Sequence, residues 1–358
     1  MPRPYPYLLL DVFTDTPFAG NQLAVFPDAH GLTDAEMQCL ARETNLSETT
    51  FCLPTPASLG GAEPFRVRIF TVDEELPFAG HPTLGTAAAL RWTVPALRHA
   101  AEVRLALNAG VVPVRYAEAS LPAVPDPHPT PSGTVPLPPE APAQSLPWGQ
   151  PLHGEMEQPL PRFGREHDRG AVAAALGLPL SALDPTNPVQ TVSTGLPFVI
   201  VPLSSRTALR ALRVPQQLAQ PYLEATDGKF FYVIAPGDEN ERGNAMSEAA
   251  SQAGSSAAAD SPHWYARMQF YGGEDPATGS AAGCATAYLV QHGLVPSGTT
   301  VYLHQGSDIL RPSTLRCSAV LPSNSEHSGQ IRPLIPSGHY VRVAGSTILV
   351  AQGRFFLR

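Results

Sequence analysis

The 358-residue sequence is short of positive charge: 23 lysines and arginines stand against 31 aspartates and glutamates, a formal net charge of −8. No basic run occurs anywhere, which sets nucleic acid and anionic membrane surfaces aside as expected partners, since both are recognised through clustered cations. A small anionic substrate stays open, because a local helix terminus can outweigh a distant negative field. Apolar runs of membrane-spanning length are lacking too. The opening stretch MPRPYPYLLLDVF is too briefly apolar for a signal peptide, so a cytoplasmic protein is expected. The four cysteines (Cys39, Cys52, Cys284, Cys317) show no metal-ligand spacing, and reduced thiols with no bound metal are expected. GGEDPATGS lacks the lysine of a phosphate-binding P-loop, and neither G-x-S-x-G nor H-E-x-x-H occurs. The glycines do not follow dinucleotide-binding spacing either. Nothing in the chain calls for a cofactor.

What is present is proline and short apolar runs. At this length one core is rarely enough, so two domains are expected: 1–120, and 166–358 after a linker at 121–165. Residues 118–165 hold thirteen of the 40 prolines and no clear periodicity, the composition of an extended linker. Residues 236–262 are rich in Ser, Ala, Gly and acid, with Met246 the only large apolar side chain, and read as a disordered insertion. Elsewhere short strands dominate, including YLLLDVFT, TTFCLPT, FRVRIFT, PFVIVPL, KFFYVIAP and TVYLHQ. The closing stretch HYVRVAGSTILVAQGRFFL reads as strand that can pack on the N-terminal domain.

Helices are few. LTDAEMQCLARET opens with Thr33 and Glu36 at capping-box spacing and gathers Leu32, Met37, Leu40 and Ala41 on one face. LGTAAALRW and AGCATAYLVQHG are apolar nearly all round and should be buried on most sides. The halves also resemble each other. TDTPFAGNQLAVF (14–26) and TVDEELPFAGHPTLGTAAAL (71–90) share PFAG; STGLPFVIVPL (193–203) echoes the first and EDPATGSAAGCATAYL (274–289) the second. An α+β fold follows: two pseudo-symmetric domains, each with strands wrapped around a buried small-residue helix. A twofold relation would make the two helix mouths face each other across one cleft, with N–H donors from both sides.

Five small residues, Gly279 to Gly283, follow the turn EDPAT, and Ser280 is placed to cap the helix there. Glu48, in NLSETTF, lies between a helix end and an apolar strand start. It is either an exposed loop carboxylate or a partly desolvated one, whose raised pKa would suit a general base. His81, after Gly80 and before Pro82, is either a structural histidine bonded to a carbonyl or a substrate donor and proton relay. Asp275 is a turn former before Pro276 or a group at the opposing mouth. Arg311 and Ser313, in HQGSDILRPSTL, read as supporting structure, or else as contacts to substrate or to the other chain of a dimer.

Taken together and in order, DVFTDTPFAGNQLAVF, NLSETTF, LPFAGHPTLGTA, STGLPF and EDPATGSA resemble the phenazine-biosynthesis (PhzF-like) isomerase family. The resemblance covers most of the chain outside the Pro-rich segment and the Ser/Ala insertion. It implies a diaminopimelate-epimerase-like fold, two strand-rich barrels each around a central helix. It also implies a cofactor-free isomerase of small carboxylate or amino-acid-like metabolites, often a homodimer. The type reaction is the isomerisation of trans-2,3-dihydro-3-hydroxyanthranilate. On this resemblance Glu48 is the proton-shuttling base. His81, Asp275 and Ser280 bind and orient substrate, with Gly80 beside the pocket and Gly279 giving close backbone approach. Two rivals remain: a non-catalytic family member retained for protein interaction, and a two-base epimerase using Glu48 and Asp275. A thiol-based racemase is disfavoured, because neither Cys39 nor Cys52 lies in a helix-mouth motif and Cys284 follows Ser280 inside the helix.

Overall fold

The computed structural model describes residues 3–117, 146–237, 261–270, 273–322 and 338–357. The linker expectation over 118–145 and the insertion expectation over 238–260 lie outside the described residues.

Two ladders of strands share one sheet. The first is a closed ring of eight: Arg3–Val12, Asn21–Phe26, Thr49–Leu53, Phe65–Phe70, Glu102–Leu107, Gly110–Tyr116, Leu152–Gln158 and the last strand, Tyr340–Leu357. The second continues from that last strand through Ser313–Val320, Val301–Gln305, His263–Arg267, Phe230–Pro236, Pro197–Pro202 and Val189–Ser193 to Arg162–His167. From Arg3–Val12 onward the pairings run antiparallel, parallel, antiparallel, parallel, antiparallel, antiparallel. From Val189–Ser193 onward they run in the same order. This repetition is the internal duplication seen as topology, in the α+β, diaminopimelate-epimerase-like architecture.

Parallel neighbours need a crossover, and here the crossovers carry the helices. One parallel pair in each half is joined through a long central helix, Gly80–Thr93 in the first and Gly279–Gln291 in the second. Both helices are buried on every side over most of their length, as their alanine-rich composition requires. The helix Asp34–Thr44 instead lies outside the ring and buries one stripe, Met37, Leu40 and Ala41. Thr33 and Glu36 form the expected capping box, and Asn45, left-handed at φ 52°, ends the helix and turns the chain toward Glu48.

The last strand joins the halves. Its first part pairs Ser313–Val320, and its second pairs Arg3–Val12 from Leu357↔Arg3 to Thr347↔Val12. Along Val341–Thr347 it also pairs Leu152–Gln158, with Gly345 opposite Gly154. That partner strand, and the start of Arg162–His167 after it, fall inside the segment read as linker. Leu152–Gln158 alternates buried and less buried residues as an edge-closing strand should. Its flanking prolines, Pro151, Pro159 and Pro161, made the segment look unstructured in composition. Among the described residues no helix is long and apolar enough to cross a membrane.

Candidate active site

The two central helices meet end to end. A Cβ on Gly80 would lie 2.3 Å from the backbone N of Ser280 and 2.5 Å from Cα of Gly279. A Cβ on Gly279 would lie 2.8 Å from Cζ of Phe13 and 3.1 Å from Cα of Gly80. The glycines are therefore used for backbone contact between the helix mouths. Neither mouth carries a side-chain cap, so the first N–H groups of both helices and their positive dipole ends converge on one place.

Ser280 does not cap its helix, contrary to expectation. It sits within the first turn, 2% exposed, and the capping position belongs to Thr278. The Thr278 hydroxyl is committed elsewhere, donating to Asp275 Oδ2 at 2.5 Å. Asp275 is held on its other oxygen by Asn21 Nδ2 at 2.7 Å. Gln305 braces the turn, donating to the Asp275 carbonyl at 2.7 Å and accepting from the Thr278 N–H at 3.1 Å. Tyr232 Oη donates to the same Gln305 oxygen at 3.0 Å.

Glu48 precedes the strand Thr49–Leu53, its side chain 15% exposed. Its Oε2 lies 3.5 Å from His81 Nε2, and neither atom has a hydrogen-bond partner. Asn21 stands beside the histidine. Its Oδ1 accepts from Ser47 Oγ at 3.2 Å, and its Nδ2 donates to Asp275 Oδ1 and to the carbonyl of Ala277 at 2.8 Å, with His81 Nδ1 3.1 Å away. The His81 ring is also hydrogen-bonded to the backbone of Gln22. One amide thus links Ser47 of the first half to Asp275 and Ala277 of the second.

Burial controls the ionisation of all three groups. It raises Glu48 well above the usual carboxylate range, and the nearby Asp275 charge adds to the rise. Asp275 is raised by burial as well, against hydrogen bonds from Thr278 and Asn21 that favour its charged form. His81 is pushed down to about 3 by burial, so its imidazole is neutral. The two carboxyl groups ionise as a pair, the first charge making the second harder to form. Of the two, only Glu48 has an oxygen without a hydrogen-bond partner.

A cleft of about 480 Å³ runs between the halves. Glu48, Asn21 and the 71–74 loop line it from one side and Asp275, Ser280 and an apolar wall from the other. His81, Gly80 and Gly279 stand behind this lining. Two further charged residues on the wall are already engaged. Glu274 takes Arg267 Nη2 and Nε at 2.5 and 2.8 Å, while the guanidinium also donates to the Leu209, Arg210 and Leu212 carbonyls. Arg311 pairs with Asp11 and donates to the carbonyls of Ala19 at 2.7 Å and Gly20 at 2.9 Å. It ties the second half to the loop that delivers Asn21, the supporting role expected of it. Ser313, 3% exposed, only donates to the Arg311 carbonyl. The cysteines are free, and burial pushes Cys284 and Cys317 up to about 12. Among the described residues, no three or more His, Cys, Asp or Glu side chains gather as metal ligands.

Asn21, Thr278 and Gln305 carry the site without having been singled out in the sequence. Asn21 alone had a signal there: it follows the first PFAG as His81 follows the second.

Comparison with known proteins bears on the family and the fold. The family described as "Phenazine biosynthesis-like protein" matches residues 10–124 and 128–353. A trans-2,3-dihydro-3-hydroxyanthranilate isomerase of Pseudomonas aeruginosa is 32% identical over 354 residues, covering 98% of this chain and 99% of its own. A structure described as a predicted epimerase from Pseudomonas aeruginosa superposes with a TM-score of 0.69 at 31% identity, covering 98% of this chain and 99% of that one. A PhzF-family protein of Bacillus anthracis superposes with a TM-score of 0.71 at 21% identity, over 99% of both chains.

Proposed function

We propose, from the premise that the chain belongs to the phenazine biosynthesis-like protein family, that it moves a hydrogen within a small unsaturated amino-carboxylate by means of one base, Glu48, and no cofactor. The protein is an isomerase of the PhzF type. Isomerisation of trans-2,3-dihydro-3-hydroxyanthranilate, the reaction in the name of the Pseudomonas relative, is the finer reading offered for it. The observation that carries the proposal is Glu48 Oε2: buried, without a hydrogen-bond partner, and facing the Nε2 of a neutral His81 across the cleft wall.

In this reading the Glu48 carboxylate takes a proton from a saturated ring carbon. The electron pair spreads through the conjugated system toward the substrate carboxylate. Helix-mouth N–H groups and Ser280 meet the growing negative charge there. Glu48, now the acid, returns the proton at the far end of the conjugated system, and the product tautomerises to a ketone. A single base working on a bound ring delivers and removes the proton on one face. Neutral His81 stands beside the base, its Nε2 3.5 Å from Glu48, and Asp275, held on both oxygens, orients the substrate.

The two-base epimerase reading is weaker because both Asp275 oxygens are engaged by Asn21 and Thr278. A non-catalytic family member is disfavoured by the assembled Glu48, His81 and Asp275. A cytoplasmic homodimer completes the proposal on the strength of the family resemblance, and light scattering with fractionation tests it.

The test is proton NMR in deuterated water with trans-2,3-dihydro-3-hydroxyanthranilate. Wild type should consume the substrate and place deuterium in the product. Folded Glu48→Gln should lose about 10² to 10⁴ in rate. Wild-type turnover by that variant would sink the role of Glu48.

A further inference from the structure

The two buried carboxyl groups of the cleft are surrounded unequally, and the inequality follows from hydrogen-bond directions that the backbone dictates. Gln305, 1% exposed at the end of Val301–Gln305, cannot turn its amide over. The Thr278 N–H can only donate and lies 3.1 Å from Oε1; the Asp275 carbonyl can only accept and lies 2.7 Å from Nε2. The second Nε2 proton therefore goes to Thr278 Oγ1 at 3.0 Å. Tyr232 Oη, donating at 3.0 Å, fills the remaining place on Oε1.

Thr278 Oγ1 has one proton of its own and two acceptors within reach, Asp275 Oδ2 at 2.5 Å and Met268 Sδ at 3.3 Å. A thioether is a weak acceptor, so the proton goes to the carboxyl. The other Asp275 oxygen is treated alike. Asn21 Nδ2 gives one proton to the Ala277 carbonyl and the other to Asp275 Oδ1 at 2.7 Å. A neutral Asp275 has to set its own proton against one of these donors. Glu48 is placed differently: its Oε2 has no hydrogen-bond partner, and the Ser47 hydroxyl beside it also donates to Asn21 Oδ1. The other charged groups around the pair are already matched, Glu274 by Arg267, Arg311 by Asp11 and Glu74 by Lys229. His81 and the phenol of Tyr232 are kept neutral by burial, and Asp73 of the 71–74 loop is exposed.

We propose that Thr278 and Gln305 are positioning residues that place the negative charge of this acid pair on Asp275 and leave its proton on Glu48. The inference rests on reading Glu48 as the base. It gives the buried polar network a part in the chemistry. A carboxyl that ionises second, beside an existing charge, is the more basic of the two, and taking a proton from carbon calls for the stronger base. The ionised Glu48 that does the work is then the form that gains ground as pH rises.

Carbon-13 NMR of protein labelled at the Asp and Glu carboxyl carbons tests the assignment without turnover, with Asp275→Asn and Glu48→Gln identifying the two signals. In wild type the Asp275 carbon should titrate first and the Glu48 carbon about one pH unit or more later. Thr278→Val, which removes the hydroxyl and keeps the N–H, should reverse that order. It should also move the pH midpoint of deuterium exchange down by about one unit. Thr278→Ser, which restores the hydroxyl, should return both to the wild-type pattern, whereas a merely structural role for Thr278 would leave the midpoints in place. Gln305→Met, which takes away the proton given to Thr278 Oγ1, should narrow the gap between the two carbons, and an unchanged gap would remove Gln305 from the device. Glu48 titrating first in wild type, or an order unchanged in Thr278→Val, would overturn the inference. If Thr278→Val does not fold, the wild-type order decides. The expected order without exchange by wild type counts against the isomerase proposal alone, and exchange with the reverse order counts against this inference alone.

Discussion

The tetrapeptide Pro-Phe-Ala-Gly occurs at 17–20 and again at 77–80, and the two copies fold in opposite ways. Phe18 is 75% exposed with φ 67°, whereas Phe78 is fully buried. Gly20 is left-handed at φ +67°, and a Cβ there would lie 2.4 Å from the Val12 carbonyl. Gly80 is helical, and its missing Cβ leaves room for the mouth of the opposite helix. Yet the residue after each copy reaches the same site, with Asn21 and His81 only 3.1 Å apart. The repeated element thus preserves the delivery of one polar side chain to the interface between the halves. Its local conformation is set by what holds each copy, Arg311 clamping the first and Gly279 abutting the second.

The widest separation between the copies should come from the core. Phe78→Ala should cost about 3–5 kcal/mol in denaturant-monitored stability, since a large buried ring is lost. If it costs no more than a surface change, the two copies are energetically alike and the contrast fails.

Next is the delivered pair. Asn21→Ala frees one Asp275 oxygen and opens space beside His81, and misplacement of this kind costs on the order of 10²-fold in exchange rate. Rate and denaturant-monitored stability are read together. Loss of exchange in a variant that keeps wild-type stability bears out the delivery role, and an unchanged rate sinks it.

A smaller effect concerns pH. Glu48 and Asp275 are raised on folding, so the folded protein favours their neutral forms. Their contribution to stability is complete below the unfolded carboxylate values near about 4 and is lost as pH rises through the raised values. Glu48→Gln should flatten that decline. The rate should have the opposite sense, because the base must be ionised: exchange should rise with pH at values well above the ordinary carboxylate range. Asp275→Asn removes a neighbouring charge and should move this rise to lower pH. A rate midpoint at the ordinary glutamate value would show that burial does not tune the base.

The smallest effect belongs to the exposed copy. Phe18→Ala should stay within about 0.5 kcal/mol of wild type. A larger loss would mean that this ring has a partner in solution.

Legibility differed from element to element for physical reasons. The Thr33–Glu36 capping box and the burial of the alanine-rich helices follow from local chemistry and composition, and both could be read directly. Glu48 stood out because it interrupts an apolar strand start. The adjacent acids Glu274 and Asp275 look equivalent in EDP and both line the cleft, but Glu274 is consumed by Arg267 while Asp275 is held between Thr278 and Asn21. The last of these partners comes from the far end of the chain. Leu152–Gln158 was hidden by its prolines, and its strand character comes from pairing with Val341–Thr347 across nearly two hundred residues.

By itself, then, the sequence determined the fold class, the duplication and the buried central helices, because these depend on composition, periodicity and short motifs, and through its resemblance to a family it offered Glu48, His81 and Asp275 as candidates. Only the tertiary structure decided that Gly80 and Gly279 serve contact between helix mouths. It also decided that Thr278 rather than Ser280 holds the cap position, and that Asn21 joins the halves. Those outcomes turn on distances between segments remote in sequence. No local pattern encodes which of several polar atoms a packed interface will leave without a partner.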